Sequence, residues 1–213
     1  MARRTKQEAG ETRESLLDAA ELVFLDRGVA RASLDEVARV AGCTRGAVHW
    51  HFGDKLGLFL ALDERLVLIE DEVRQRLMPD GDCVRLGDIE RMIPECMSEL
   101  ELDKRRIRLL TVMLQRCEYV EEMTPALDRR RRADLAMRDV LYHCFERAAE
   151  RGELSPRWQP KQAAICLHAM IDGIMGEWLR GDADFILSIR VREVLQVFFA
   201  CLREDSPATP MPA

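Results

Sequence analysis

The stretch SLDEVARVAGCTRGAVHWHFGDK, residues 33–55, decides how the chain is read. Ser33-Leu34-Asp35-Glu36 has the S-x-x-E form of a capping box, in which the hydroxyl accepts from the amide of residue 36 while Glu36 reaches back to the start of the helix. Leu34, Val37, Ala38 and Ala41 then form one apolar face, which Gly42 ends because a residue without Cβ takes the left-handed conformation of a tight turn. Thr44 caps a second short helix that runs to about His51, with Val48 and Phe52 directed inward. Two short helices joined by a glycine-containing turn make a helix-turn-helix.

On the N-terminal side, Leu16, Ala19, Ala20, Val23 and Phe24, flanked by Leu17, repeat at helical spacing until Arg27-Gly28. On the C-terminal side, Asp54 caps a long helix over 55–78 with Leu56, Phe59, Leu60, Leu66 and Leu77 as its buried face. Further helices are predicted over 86–101, 104–119, 125–151, 160–180 and 185–203, separated by Pro79-Asp80-Gly81, Thr124-Pro125, Arg151-Gly152, Pro160 and Gly181-Asp182. No alternating apolar run suggests a sheet, so the fold class is all-α. Residues 1–53 form an N-terminal arm with a three-helix domain, 54–205 a larger helical domain, and 206–213, with three prolines, a disordered tail.

The 213 residues are 47% hydrophobic and 33% charged, which suits a folded domain or two and excludes disorder as the main state. The longest uncharged stretches, around Ala163–Ile171 and Val194–Leu202, are about half of what a bilayer-crossing helix needs. No membrane role is expected. The opening Met1-Ala2-Arg3-Arg4 lacks a secretory pattern, and the expected location is cytoplasmic. Seven cysteines without a Cys-x-x-Cys pair read as reduced, buried thiols. The net charge of −6 does not exclude DNA, since residues 1–55 carry nine bases and nine acids and the whole deficit lies beyond them.

Nucleophile elbows, phosphate-binding glycine loops and zinc-protease motifs are missing from the sequence, so no enzyme, metal or cofactor is expected. His49 and His51, two apart on a helix, point about 200° apart and cannot share an ion. The second short helix suits another chemistry. Arg45 in its first turn has the fork geometry to donate twice to guanine O6 and N7, while Gly46 and Ala47 are small enough for close approach. Thr44 or Trp50 can meet the sugar-phosphate backbone and Lys55 can neutralise a phosphate. Arg3, Arg4 and Lys6 form either a DNA-contacting arm or a frayed terminus, and Arg129–Arg132 reads as a solvated helix face.

In the C-terminal part, Asp172 stands among Met170, Ile171, Ile174 and Met175 and needs a partner, either a structural one or a polar group on a ligand. Ten methionines suit adaptable core filling or a pocket for varied apolar ligands. Leu66, Met92, Cys96, Leu110 and Met113 are candidates to line such a cavity. Leu114, Met137, Leu141, Leu167 and Ile171 join them, with Asp172 as the polar anchor. The last two helices carry more apolar surface than one face of a monomer buries, with Ile165, Ile174 and Trp178 on one and Val191, Val194, Leu195 and Phe198 on the other as candidate dimer contacts.

Residues 12–60, above all TRGAVHWHFGDK at 44–55, resemble the N-terminal domain of TetR-family transcriptional repressors. The opening ARRTKQEAGETR and the stretch RGVARASLDEVA resemble the AcrR/TtgR/SmeT-like subgroup that represses multidrug efflux operons. The resemblance implies a homodimer that binds palindromic operator DNA through its first three helices and is released by a small hydrophobic or aromatic ligand held in the C-terminal domain. Its last two helices would form the dimer interface. The DNA contacts implied are Ser33, Thr44, Arg45, Gly46, His49, Trp50, His51 and Lys55. The family usually has tyrosine where this chain has His49, and a larger polar residue where it has Gly53. The alternative class is an all-helical ligand-binding or protein-interaction dimer without operator function.

Overall fold

The computed structural model describes residues 6–119, 121–181 and 184–203, so Arg3, Arg4, the side chain of Lys6 and the tail 206–213 lie outside the described residues. Among the described residues there is no strand. The helices are α1 (Lys6–Arg27), α2 (Leu34–Val40), α3 (Arg45–Phe52), α4 (Lys55–Leu77), α5 (Leu86–Leu102), α6 (Lys104–Gln115), α7 (Thr124–Glu150), α8 (Pro160–Leu179) and α9 (Leu187–Arg203). The fold is all-α as expected, and none of these helices is long and apolar enough to cross a membrane. They fall into two compact units, one of Met1–Glu70 with Asp103–Ala133, the other of Asp71–Leu102 with Asp134–Ala213. The start of α4, all of α6 and the start of α7 therefore cluster with the helix-turn-helix.

In the first unit, α1 buries Leu16, Leu17, Ala19, Ala20, Val23 and Phe24, as its apolar spacing predicts. Phe24 meets Phe59 of α4 with ring centroids 6.4 Å apart, and Tyr119 meets Phe59 edge-on at 6.1 Å. The inward face of α4 differs from the expected one. Leu58, Phe59, Leu62 and Leu66 are buried, whereas Leu56 and Leu60 are half-buried. The cause is local: a Cβ on Gly57 would lie 2.0 Å from the Phe52 carbonyl oxygen, so the chain enters α4 pressed against the end of α3 and its rotation is set there. Burying leucines such as Leu58 and Leu62 contributes about 1.5–3 kcal/mol each.

Helix α6 also ends earlier than its apolar pattern suggests, at Gln115 instead of residue 119. The Arg116 carbonyl accepts from the Val29 amide at 2.8 Å and the Tyr119 hydroxyl donates back to the Met113 carbonyl at 2.7 Å, which turns the chain out of the helix. A charged network ties α1 to both α4 and α6. Glu21, only 2% exposed, accepts from Arg108 Nε at 2.6 Å, with Arg105 Nε at 3.5 Å and Arg65 Nη1 at 3.9 Å. Asp18 receives Arg65 at 3.0 Å and Arg105 at 2.6 Å, and Glu14 receives Arg65 at 2.6 Å. Arg129 is also not simply solvated, because its Nε lies 2.5 Å from Asp63. Burial raises the Asp63 carboxyl above its ordinary range, against the lowering effect of Arg129 and Arg130.

The second unit is organised by α9 packed along α5 and against α8. Glu101 at the end of α5 caps α9, accepting from the Ser188 amide at 3.2 Å and its hydroxyl at 2.8 Å. Phe145 and Phe199 stack at 6.5 Å, and Trp158 donates its Nε1–H to the Cys201 carbonyl at 3.2 Å. The seven thiols are free, but they are not uniformly buried: Cys83 and Cys144 are, while Cys201 is exposed.

Candidate nucleic-acid interface

Helix α2 is started by Ser33, whose hydroxyl accepts from the Glu36 amide at 3.1 Å. The reciprocal half of the expected capping box is replaced, since Glu36 takes Arg27 Nε at 3.3 Å. Gly42 has φ 65° and turns the chain, and Thr44 then caps α3 by accepting from the Ala47 amide at 3.2 Å. Beneath α3, Val48 is fully buried and Phe52 half-buried, with the Arg13 guanidinium 5.6 Å from the Phe52 ring centre. With Val48 buried and Ala47, His51 and Phe52 half-buried, the remaining residues of the short helix face solvent.

Thr44, Arg45, Gly46, His49 and Trp50 are all exposed, and His51 is half-buried. Trp50 is 74% exposed, a large apolar surface with no use in the monomer's own core. His51 meets its ring edge-on at 4.5 Å, and the two residues line a cleft of about 360 Å³ with Ala9, Thr44 and Ala47. A Cβ on Gly46 would make only an ordinary 3.7 Å contact with Thr44 Oγ1, so packing inside the protein does not demand glycine there. Lys55 is half-buried and donates to the Ala30 carbonyl at 3.0 Å, which places its ammonium beside the α1–α2 turn and leaves two further donors. Arg45 donates from Nη1 to Asp35 Oδ2 at 2.9 Å. Asp35 and the Glu21 network are not singled out by the sequence pattern; the available signal for Asp35 is its place as the second residue of a capped helix.

The proposed ligand residues do not fall in one unit. Leu66, Leu110 and Met113 are buried and Leu114 half-buried in the first unit. In the second, Met92, Leu141 and Leu167 are buried and Cys96, Met137 and Ile171 half-buried. Arg76 Nη1 lies 3.2 Å from Cys96 Sγ and is held by Glu99 at 2.7 Å. Asp172 has a structural partner, since its exposed carboxylate lies 3.2 Å from His168 Nδ1 one turn earlier.

Among the proposed dimer contacts, Ile165 is exposed and Ile174, Trp178 and Val194 are half-buried. Val191 and Leu195 are fully buried and Phe198 nearly so, because α9 turns this face onto the interior of its own unit. Those three are core residues. The outward face of α9 instead displays Ile189 and Val197.

Residues 16–62 match the sequence profile of bacterial regulatory proteins, tetR family, and residues 86–203 that of the MAATS-type transcriptional repressor, C-terminal region. The chain is 38% identical over 201 residues to the HTH-type transcriptional repressor BepR of Brucella suis biovar 1 (strain 1330), covering 94% of this chain and 96% of that protein. Its fold is similar to that of NalD, the secondary repressor of the MexAB-OprM multidrug efflux pump in Pseudomonas aeruginosa, with a TM-score of 0.82 at 33% identity over 94% of this chain and 100% of the other. It is also similar to SmeT in complex with triclosan, with a TM-score of 0.77 at 28% identity over 95% and 99%. With its solvent-facing helix-turn-helix inside the first matched region and α5–α9 inside the second, the chain belongs to the tetR family of bacterial regulatory proteins.

Proposed function

We propose that the protein is a cytoplasmic, homodimeric repressor of a multidrug efflux operon, released from palindromic operator DNA by small hydrophobic or aromatic compounds. The observation that carries this reading is α3: a helix held by one fully buried valine, with Thr44, Arg45, Gly46, His49 and Trp50 all turned to solvent. Its first turn has the shape and donors to enter a major groove, and a dimer presents two such helices to half-sites about 34–36 Å apart, or a multiple of that spacing. NalD and SmeT, both similar in fold, are named as repressors of multidrug efflux pumps, which supports the class of operon.

Release follows from linkage. A ligand that binds better to the arrangement unfit for DNA weakens DNA binding by the same factor by which DNA weakens the ligand. Helix α4, with residues 55–70 in the first unit and 71–77 in the second, is the proposed carrier of that coupling. Met92, Met137, Leu141 and Leu167 are the proposed apolar lining in the second unit. Ile165, Ile174 and Trp178 of α8 are the proposed dimer contacts, with Ile189 and Val197 of α9 beside them in place of its buried face. Cβ atoms on Gly173 and Gly176 would meet nothing within 4 Å, which leaves room for a second copy to approach α8.

The test is a gel-shift titration with the DNA upstream of the protein's own gene, with and without triclosan as the probe compound. Retardation that triclosan reverses is expected. Absence of any retarded complex at low salt would overturn the DNA-binding reading and leave a helical ligand-binding dimer.

A further inference from the structure

Arg45 and Asp35 stand in the first turns of α3 and α2, two helices that pack on each other and are each fixed by a hydroxyl cap, Thr44 and Ser33. Their contact joins Nη1 to Oδ2 at 2.9 Å, and both side chains are more than 60% exposed. Among the described residues no other carboxylate comes within ion-pair distance of Arg45. A guanidinium has two hydrogen-bonding edges that suit a guanine: the Nε–Nη2 edge and the Nη1–Nη2 edge. With Nη1 occupied by Asp35, the Nε–Nη2 edge is left uncommitted. The contact biases the long side chain toward one orientation between two helices that are each started by a hydroxyl cap.

We propose that Asp35 is a positioning residue for DNA reading: it holds the guanidinium of Arg45 so that the Nε–Nη2 edge meets guanine O6 and N7, and base preference at that position depends on it. The inference rests on the DNA-binding reading above. It concerns Asp35, which touches no base itself. Its exposed carboxylate also repels phosphate on every sequence alike, which lowers affinity without changing base preference. Asp35 thus raises discrimination only through the arginine, while its own charge weakens binding to DNA in general.

A competitor role predicts the opposite sign. If Asp35 merely sequestered Arg45, removing it would free the arginine and sharpen the preference for guanine.

The experiment selects bound duplexes from a random-sequence pool with the wild-type protein and with Asp35→Ala, Asp35→Asn, Arg45→Ala and the Asp35→Ala/Arg45→Ala double variant, and then sequences them. Thermal unfolding of each variant confirms a folded protein. An exposed ion pair is worth up to about 1 kcal/mol, or about a fivefold change in equilibrium. Asp35→Ala is therefore expected to lose about two- to fivefold of the guanine preference at the same position that Arg45→Ala loses, while binding the unselected pool at least as tightly as wild type. Asp35→Asn, which keeps an acceptor oxygen, restores part of the preference. The double variant shows no loss beyond Arg45→Ala alone. An unchanged or stronger guanine preference in Asp35→Ala overturns the proposal, as does an additive loss in the double variant. Selection of no sequence by the wild type overturns the DNA-binding reading itself, whereas selection that only the Asp35 variants fail to alter overturns the positioning role alone.

Discussion

Gly57 and Cys117 are two residues whose surroundings fix their behaviour most sharply. Any side chain at 57 drives a Cβ to 2.0 Å from the Phe52 carbonyl oxygen, a backbone atom that cannot move aside without shifting the junction between α3 and α4. Gly57→Ala is expected to lower stability by about 1–3 kcal/mol in a urea titration; an unchanged midpoint would show that the junction yields freely. Burial first, and then the neighbouring Glu118 carboxylate, raise the Cys117 thiol to about 11. A raised thiol pKa means less thiolate at a given pH. Alkylation of Cys117 by iodoacetamide at pH 8 should thus run on the order of a hundredfold slower than for an unperturbed thiol, and accelerate until the pH passes about 11. Peptide mapping against time and pH measures it. At this scale the sequence was most legible where one residue's own chemistry decides: Ser33 and Thr44 cap and Gly42 turns, all from local backbone needs. It was least legible where a distant group decides, as with Glu36, which leaves its own helix start for Arg27, and Asp172, whose exposure depends on which side of α8 faces the core.

Between elements, the joint of α1 with α4 and α6 is a chain of acids against arginines. Glu14, Asp18 and Glu21 lie along one side of α1, and Arg65, Arg105 and Arg108 reach them from the other two helices. Glu21 is the buried member, so its removal takes the carboxylate from Arg108, while Arg65 and Arg105 keep Asp18 and Glu14. Glu21→Ala is predicted to cost about 2–3 kcal/mol, less than a fully enclosed pair because the arginines keep some solvent. Glu21→Gln should cost less. Chemical denaturation of both variants checks this, and equal stability of wild type and Glu21→Ala would contradict the assignment of the joint. The helix count, order and most bounds were readable from apolar spacing, capping and proline or glycine punctuation. Rotation was harder. The inward face of α4 turned on the approach of Gly57 to Phe52, and the face of α9 on α5, neither of which a single helix's pattern contains. The early end of α6 carries no glycine or proline, because a carbonyl accepting from Val29 ends it.

For the molecule as a whole, the proposed function requires two copies of α3 to read one duplex. The proposed ligand in the second unit and the proposed partner on α8 would act through it, by way of sequence-specific binding at the exposed first turn of α3. Net charge could not reveal it, since the −6 of the chain belongs to residues beyond 55 and the head itself is balanced. The most direct measurement is equilibrium binding of wild type and Arg45→Ala to the DNA upstream of the gene and to unrelated DNA, across a range of salt. The account predicts that wild type prefers the upstream DNA by about 10³-fold or more and that its affinity falls steeply with salt. Arg45→Ala should lose about five- to a hundredfold of that preference while keeping most of the salt dependence. Equal preference in the two proteins, or no preference in either, would contradict it.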